Sequence, residues 1–277
     1  MGSPRRIVRW QDADIPTLGW DVPDSDYEGE SSVEQTAATA LAVGRDFPVA
    51  LLGRGRPAVG AARETMRVTL SAATPEDGDA MWDELIRILS RVPRGVLIAQ
   101  DGAGTEVEAD AVLDELPTRT VAPLSWLRMP VSVSWVRLGP WHRRTDSVAS
   151  ATLSGTATLL DVAVGGTFPT RRVTVRLQAS GGSIASPTIS DLIRGTQVTI
   201  GLTLSGGHIV ELDCEREVAR RSTDGGATWT DVTAQVSVPA TQVGWLALEP
   251  GSGQVRVSSA SAMAGTVTLR WRDAWLM

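Results

Sequence analysis

The segment RRSTDGGATWTDV, residues 220–232, carries Ser222, Asp224, Gly226 and Trp229 in the spacing S-x-D-x-G-x-x-W of an Asp-box. The chemistry such a box would accompany is glycoside hydrolysis by a tyrosine nucleophile, which needs that tyrosine and an acid partner. Tyr27 is the sole tyrosine and Glu28 follows it directly. Neighbouring residues of an extended chain point to opposite sides, so the two do not form a catalytic pair by adjacency. The box also has a purely local meaning. Ser222 and Asp224 can bond turn amides, the glycines permit a sharp reversal, and Trp229 can pack back on the hairpin. No tandem repeat at blade period accompanies the motif, so a propeller is not expected and the box is read as a turn.

Other residues with chemical potential read similarly. Gly53, Gly55 and Ala58 follow an apolar run in a G-x-G-x-x-A pattern. A dinucleotide turn needs a crossover helix and a second parallel strand, whereas the strand-like TMRVTLSA follows within a few residues. Cys214 is the single cysteine and lies in a strand pattern, VELDCERE, where a thiol is usually inert packing. With His142 and His208 as the only histidines, a Cys/His zinc site has too few ligands. His142 beside Trp141 reads as a surface or interdomain residue, and His208 after two glycines as a turn residue. Asp83/Glu84 and Asp114/Glu115 are sequence neighbours, not an opposed pair across a substrate, and read as solvated faces. There is no G-x-S-x-G elbow. All 26 basic residues are arginine, which leaves no lysine for Schiff-base or phosphate-loop chemistry. The expectation is therefore a protein that is not an enzyme, with no catalytic residue, no cofactor and no metal. Ten tryptophans are available for cores, interfaces or sugar stacking, and Trp135, Trp245 and Trp271 sit in alternating strands that suit a core.

These residues must be carried by elements legible elsewhere in the chain. Its 277 residues exceed the ~100–200 of one domain, so two domains are expected, 1–146 and 147–277. The composition, 42% hydrophobic and 21% charged, is that of an ordinary soluble folded protein. No apolar run approaches the ~18–20 residues that span a bilayer, and MGSPRRIVRW lacks a signal-peptide core, so no membrane partner is expected. A net charge of -6 argues against general nucleic-acid binding.

In the first half RRIVRW, FPVALLG and TMRVTLSA are strand-like, and the acidic DVPDSDYEGESS reads as an exposed loop. A helix is expected at about 75–91: Thr74 caps it, Pro75 suits the first position, and Asp77 is the capping-box acid. Met81, Trp82, Leu85, Ile86 and Leu89 recur at helical spacing and predict one buried face. GVLIAQ, the turn DGAG and TEVEADAVLDEL predict a hairpin. MPVSVSWVRL predicts a half-buried strand with Val131, Val133 and Trp135 inward. GPWHRRTDSVAS breaks the pattern, placing a junction near Arg143 to Ser150.

From Ala151 onward the segments TATLLDVAV, RRVTVRLQA, TQVTIGLTL, HIVELDCE, EVARRS, WTDVTAQV, GWLAL, GQVRVSS and TVTLRWRD alternate with glycine-rich turns. Such a series predicts an all-β antiparallel sandwich or barrel.

The order of these parts resembles the distal tail protein family of long-tailed, non-contractile bacteriophages. The residues that carry the resemblance are the capped helix TPEDGDAMWDELIRILSRV, the hairpin after it, and the closing strand VSVSWVRLGPWHR. In the second half they are GGTFPTRRVTVRL, HIVELDCEREVARR and GWLALEPGSGQVRV, while the final VTLRWRDAWL resembles the last strand of actinobacterial phage minor tail proteins. The resemblance spans roughly Phe47 to Met277. It departs in the acidic Asp21 to Glu30 and in the Asp-box, which stands where a plainer hairpin turn is expected.

The resemblance implies an N-terminal β-sandwich ring domain with one packed helix and a C-terminal galectin-like antiparallel β-sandwich outside the ring. It implies six copies closing into a homo-oligomeric ring at the virion's tail tip. The implied partners are the tail tube protein, the tape measure protein and a tail hub or tail-associated fibre protein, with DNA passing through the ring and no sequence-specific nucleic-acid contact. The alternative expectation is a carbohydrate-binding β-sandwich adaptor for host surface glycans, using exposed tryptophans.

Overall fold

The computed structural model describes residues 6–22, 28–33, 62–100, 103–118 and 128–275. FPVALLG, Gly53, Gly55, Ala58, Tyr27 and the Asp101-Gly102 pair lie outside these residues. Contacts divide the chain into two compact units, one reaching to Arg144 and one covering Thr145–Trp275.

The first unit contains β1 (Arg6–Gln11), β2 (Gly19–Asp21), β3 (Glu28–Val33), β4 (Ala62–Leu70), α1 (Pro75–Arg91), β5 (Arg94–Gln100), β6 (Glu106–Glu115), β7 (Met129–Arg137) and β8 (Trp141–Arg143). The strands pair antiparallel in the order β2-β1-β5-β6-β7-β4-β3, and β8 lies beside β6. Alternation sets the faces. Met66, Val68 and Leu70 of β4 and Val131, Val133 and Trp135 of β7 point inward, while Arg63, Arg67 and Ser132 point out. The sheet is curled. On its inner face the rings of Trp10 and Trp135, from strands three places apart in the order, lie 5.9 Å apart. Curling brings the inner faces together around a shared core, giving a sandwich from one continuous sheet.

The helix forms as its sequence dictates. Thr74 Oγ1 accepts the amide of Asp77 at 3.2 Å, and Pro75 occupies the first turn, where its missing N–H costs nothing. Gly78, Leu85, Ile88 and Leu89 are buried, and the indole N–H of Trp10 ties β1 to the helix end by donating to the Val92 carbonyl at 3.1 Å. Met81, expected inside, is 37% exposed. By angle it lies within the apolar stripe, between Gly78 and Leu85 along the helix, both of which are buried.

The second unit contains β9 (Ser147–Val164), β10 (Val173–Ala179), β11 (Ile184–Ala185), β12 (Thr188–Asp191), β13 (Gln197–Ile200), β14 (Thr203–Leu204), β15 (Ile209–Asp213), β16 (Val218–Ser222), β17 (Thr230–Asp231), a 3-10 turn (Thr233–Gln235), β18 (Val236–Ser237), β19 (Gly251–Trp271) and β20 (Ala274–Trp275). The main sheet runs β17-β16-β15-β10-β19-β12-β13-β18, with β9 along the other side of β19 and β11 paired to β14 separately. β19 is the spine. Val255–Ser258 pair with β12, while Gly265–Trp271 pair with β10. Its register against β9 slips between Ser258 and Met263. Ile189, Val198 and Val257 from one arm and Val175, Leu212 and Val267 from the other belong to one buried cluster, so the sheet folds over itself into an antiparallel sandwich.

Several expectations are corrected. The acidic stretch is not all loop, because Glu28–Val33 add to the edge of β4 by backbone pairing, which ignores side-chain charge. GPWHRR does not simply break the pattern: Trp141–Arg143 form β8, burying His142. β9 begins at Ser147, inside the expected junction. GQVRVSS and TVTLRWRD lie on one strand, Gly251–Trp271, which runs through the small residues between them and the register slip against β9. GWLAL is not a strand. Trp245 to Leu248 are buried in an irregular segment held by a bridge between Leu248 and Thr170.

Candidate functional site

At the end of β16 the Asp-box closes as its residue types suggest. Ser222 Oγ donates to Asp224 Oδ1 at 2.6 Å and accepts the Gly226 amide at 2.7 Å. Asp224 also accepts the Thr228 amide at 2.9 Å and the Thr228 hydroxyl at 2.6 Å. Gly225 and Gly226 have φ of +74° and +106°, backbone that side chains oppose. The Arg220 guanidinium lies 4.7 Å from the centre of the Trp229 ring. These hydrogen bonds, that from Ser222 first, hold the Asp224 carboxyl well below the usual carboxylate range. An acid so stabilised as an anion is a poor proton donor, so this arrangement builds a rigid turn.

The other candidates are dispersed. Cys214 is buried, and burial pushes its thiol up to about 12, the opposite of what a nucleophile requires. His142 is buried in β8, while His208 Nδ1 accepts the Ser205 amide in a turn. Asp83 and Glu84 are exposed on the helix, where Glu84 pairs with Arg87, and Asp114 pairs with Arg63. Trp135, Trp245 and Trp271 are buried and unavailable for sugar stacking. Among the described residues no cluster of three or more His, Cys, Asp or Glu side chains could hold a metal ion. No described helix is long and apolar enough to cross a membrane.

Two charged arrangements escaped the sequence reading. On the inner face of the first unit, Arg137 Nε meets Glu64 Oε1 at 2.9 Å, with both side chains almost wholly buried. Burial lowers the Arg137 pKa, and the Glu64 carboxylate opposes that shift. The Trp141 ring lies 5.5 Å from the guanidinium, so this pair anchors the start of β8. Nothing in period-two alternation distinguishes these charges from the apolar residues they replace. In the second unit Asp191 is buried and accepts the amides of Ile193 and Arg194 at 3.0 and 3.3 Å. Burial raises its carboxyl pKa, and Arg194 pairs with Glu249 at 2.8 Å. The spacing of residues in the chain does not announce this burial.

What the geometry presents is backbone edge. The first sheet ends at β2 and β3 among the described residues, and β9 of the second unit pairs on one side only. Edges of this kind recognise other strands through main-chain hydrogen bonds.

No family model and no curated protein matches the chain. Among solved structures, a chain of the phage P2 baseplate in its activated conformation with Ca is similar at 8% identity and a TM-score of 0.47, with 98% of each chain covered.

Proposed function

We propose that this chain is a structural protein of a bacteriophage tail tip, a distal tail protein whose first unit builds a six-membered ring and whose second unit stands outside it. The reading rests on the order of parts. A sheet strand leads into a Thr-capped helix, a hairpin and a closing strand at β7, and an all-antiparallel unit follows. The resemblance to the distal tail family lies in that order. Sheet edges suit the task, because a head-to-tail contact whose rotation closes makes a ring, and closure covers exposed strands. Its work is assembly and not turnover: joining the tail tube and tape measure ends to the hub or receptor-binding apparatus.

Native mass spectrometry and negative-stain imaging of the purified chain test this. A six-fold annulus, together with the chain's presence in isolated tails, is the expected outcome. A monomer at all concentrations that is absent from particles would sink the proposal. A monomer that binds glycans would favour the sugar-adaptor alternative.

A further inference from the structure

The 18-residue strand β9 has an unusual symmetry in its facing pattern. In its first half Ala149, Ala151 and Leu153 point to the core; in its second half Leu160, Val162 and Val164 do. The inward phase changes from odd to even across the exposed Gly155-Thr156 step, where Gly155 has φ +64°. Unbroken alternation over an even number of residues would start inward from one end and outward from the other. With the change of phase, the sequence of inward and outward residues reads the same from both ends.

Among the described residues β9 pairs only with β19, so its other side carries main-chain donors and acceptors, interrupted beside the centre where the Ser154 amide donates to Thr158 Oγ1 at 3.2 Å. Open edges are ordinarily guarded by lysine, proline or several charges. The β9 sequence SVASATLSGTATLLDVAV has neither proline nor a basic residue, and its one charge is Asp161, which accepts from Gln254 Nε2 at 2.9 Å. Val148 and Leu159 point outward and are 57% and 51% exposed.

We propose that this edge is an interface with a second copy of the chain, formed by antiparallel pairing of β9 with β9 about a two-fold axis at Gly155-Thr156. In that register every inward residue faces an inward one and every outward residue an outward one. Ala151 then meets Leu160, Thr152 meets Leu159, and Val148 meets Ala163. Each Asp161 meets the neutral Ser150, so the two carboxylates stay at opposite ends. A one-residue slip would set core faces against solvent faces along the whole strand. The contact is isologous and therefore different in kind from the head-to-tail contact of a ring; it stands without the proposed function.

The test uses the full chain and its Ser150→Arg and Ser150→Asp variants, with sedimentation velocity over a range of concentrations and circular dichroism to verify folding. Ser150 is exposed and off the core, and its hydroxyl donates to Thr268 Oγ1 at 3.1 Å on the same outer face, so both variants are expected to keep the fold. In the first variant each introduced guanidinium faces Asp161 of the other copy, and the two symmetry-related contacts are expected to tighten the pair. In the second each introduced carboxylate faces that same Asp161, and the two contacts are expected to loosen it. Either change should be roughly fivefold in dissociation constant at low salt. High salt should erase the difference. No two-fold species in the unmodified chain, or variants that shift together or not at all, would overturn the proposal. A six-membered ring indifferent to Ser150 would overturn this edge contact and leave the ring reading standing. Pairs that respond to Ser150 without any ring would do the reverse.

Discussion

Asp224 shows how a residue's chemistry is decided by its partners. Hydroxyl and amide donors surround its carboxylate, so its folded pKa lies below the ~3.9 of an unfolded aspartate. For a depressed carboxyl, the stabilisation is fully present above the unfolded value and is lost as pH falls through the folded one. Asp224→Ala is therefore expected to lower the melting temperature at neutral pH, and the gap from the unmodified protein should narrow below about pH 4, as followed by thermal denaturation. Cys214 makes the complementary case. With the thiol pushed up to about 12 inside the sandwich, iodoacetamide should leave the native protein unmodified and add one carbamidomethyl group only after unfolding, as read by intact mass. Rapid labelling of the native chain would contradict the burial.

At the scale of elements, each local device has a separable energetic role. The Thr74 side chain satisfies one orphan amide of α1, so Thr74→Ala should cost about 1 kcal/mol in urea denaturation. The Glu64–Arg137 pair ties β4 to β7 from within the core. Breaking it from one side leaves an uncompensated buried charge, so Glu64→Gln or Arg137→Met should each cost roughly 3–5 kcal/mol. Replacing both with apolar residues should cost much less than the sum of the two single changes. An additive result would show that the two charges do not depend on each other.

At the scale of the whole molecule, the two units are bodies built by bending continuous sheets. The first curls until Trp10 of β1 meets Trp135 of β7; the second folds about the long strands β9 and β19. A bent sheet leaves extended edges at its margins, and such edges can pair with strands of another chain. If the chain builds a ring, its mass should settle at six protomers, or at a multiple of six where β9 edges also pair, and cutting the second unit away by limited proteolysis should leave the annulus intact. Loss of the annulus with the second unit would mean that this unit makes the ring contacts.

By itself the sequence determined the helix and its cap, the β5–β6 hairpin, the inward face of β7 and the all-β character of the second half. Each of these depends on local propensity or on a period that short windows express. It also determined the Asp-box turn, whose partners lie within a few residues of one another. Only the tertiary structure decided that Glu64 and Arg137 are buried together, that GWLAL packs without becoming a strand, and that two expected segments join as β19. Those outcomes depend on residues far apart in the chain meeting across a bent sheet. The symmetry of β9 is legible only once its inward and outward residues are known, because which face is inward is a property of the core and not of the strand.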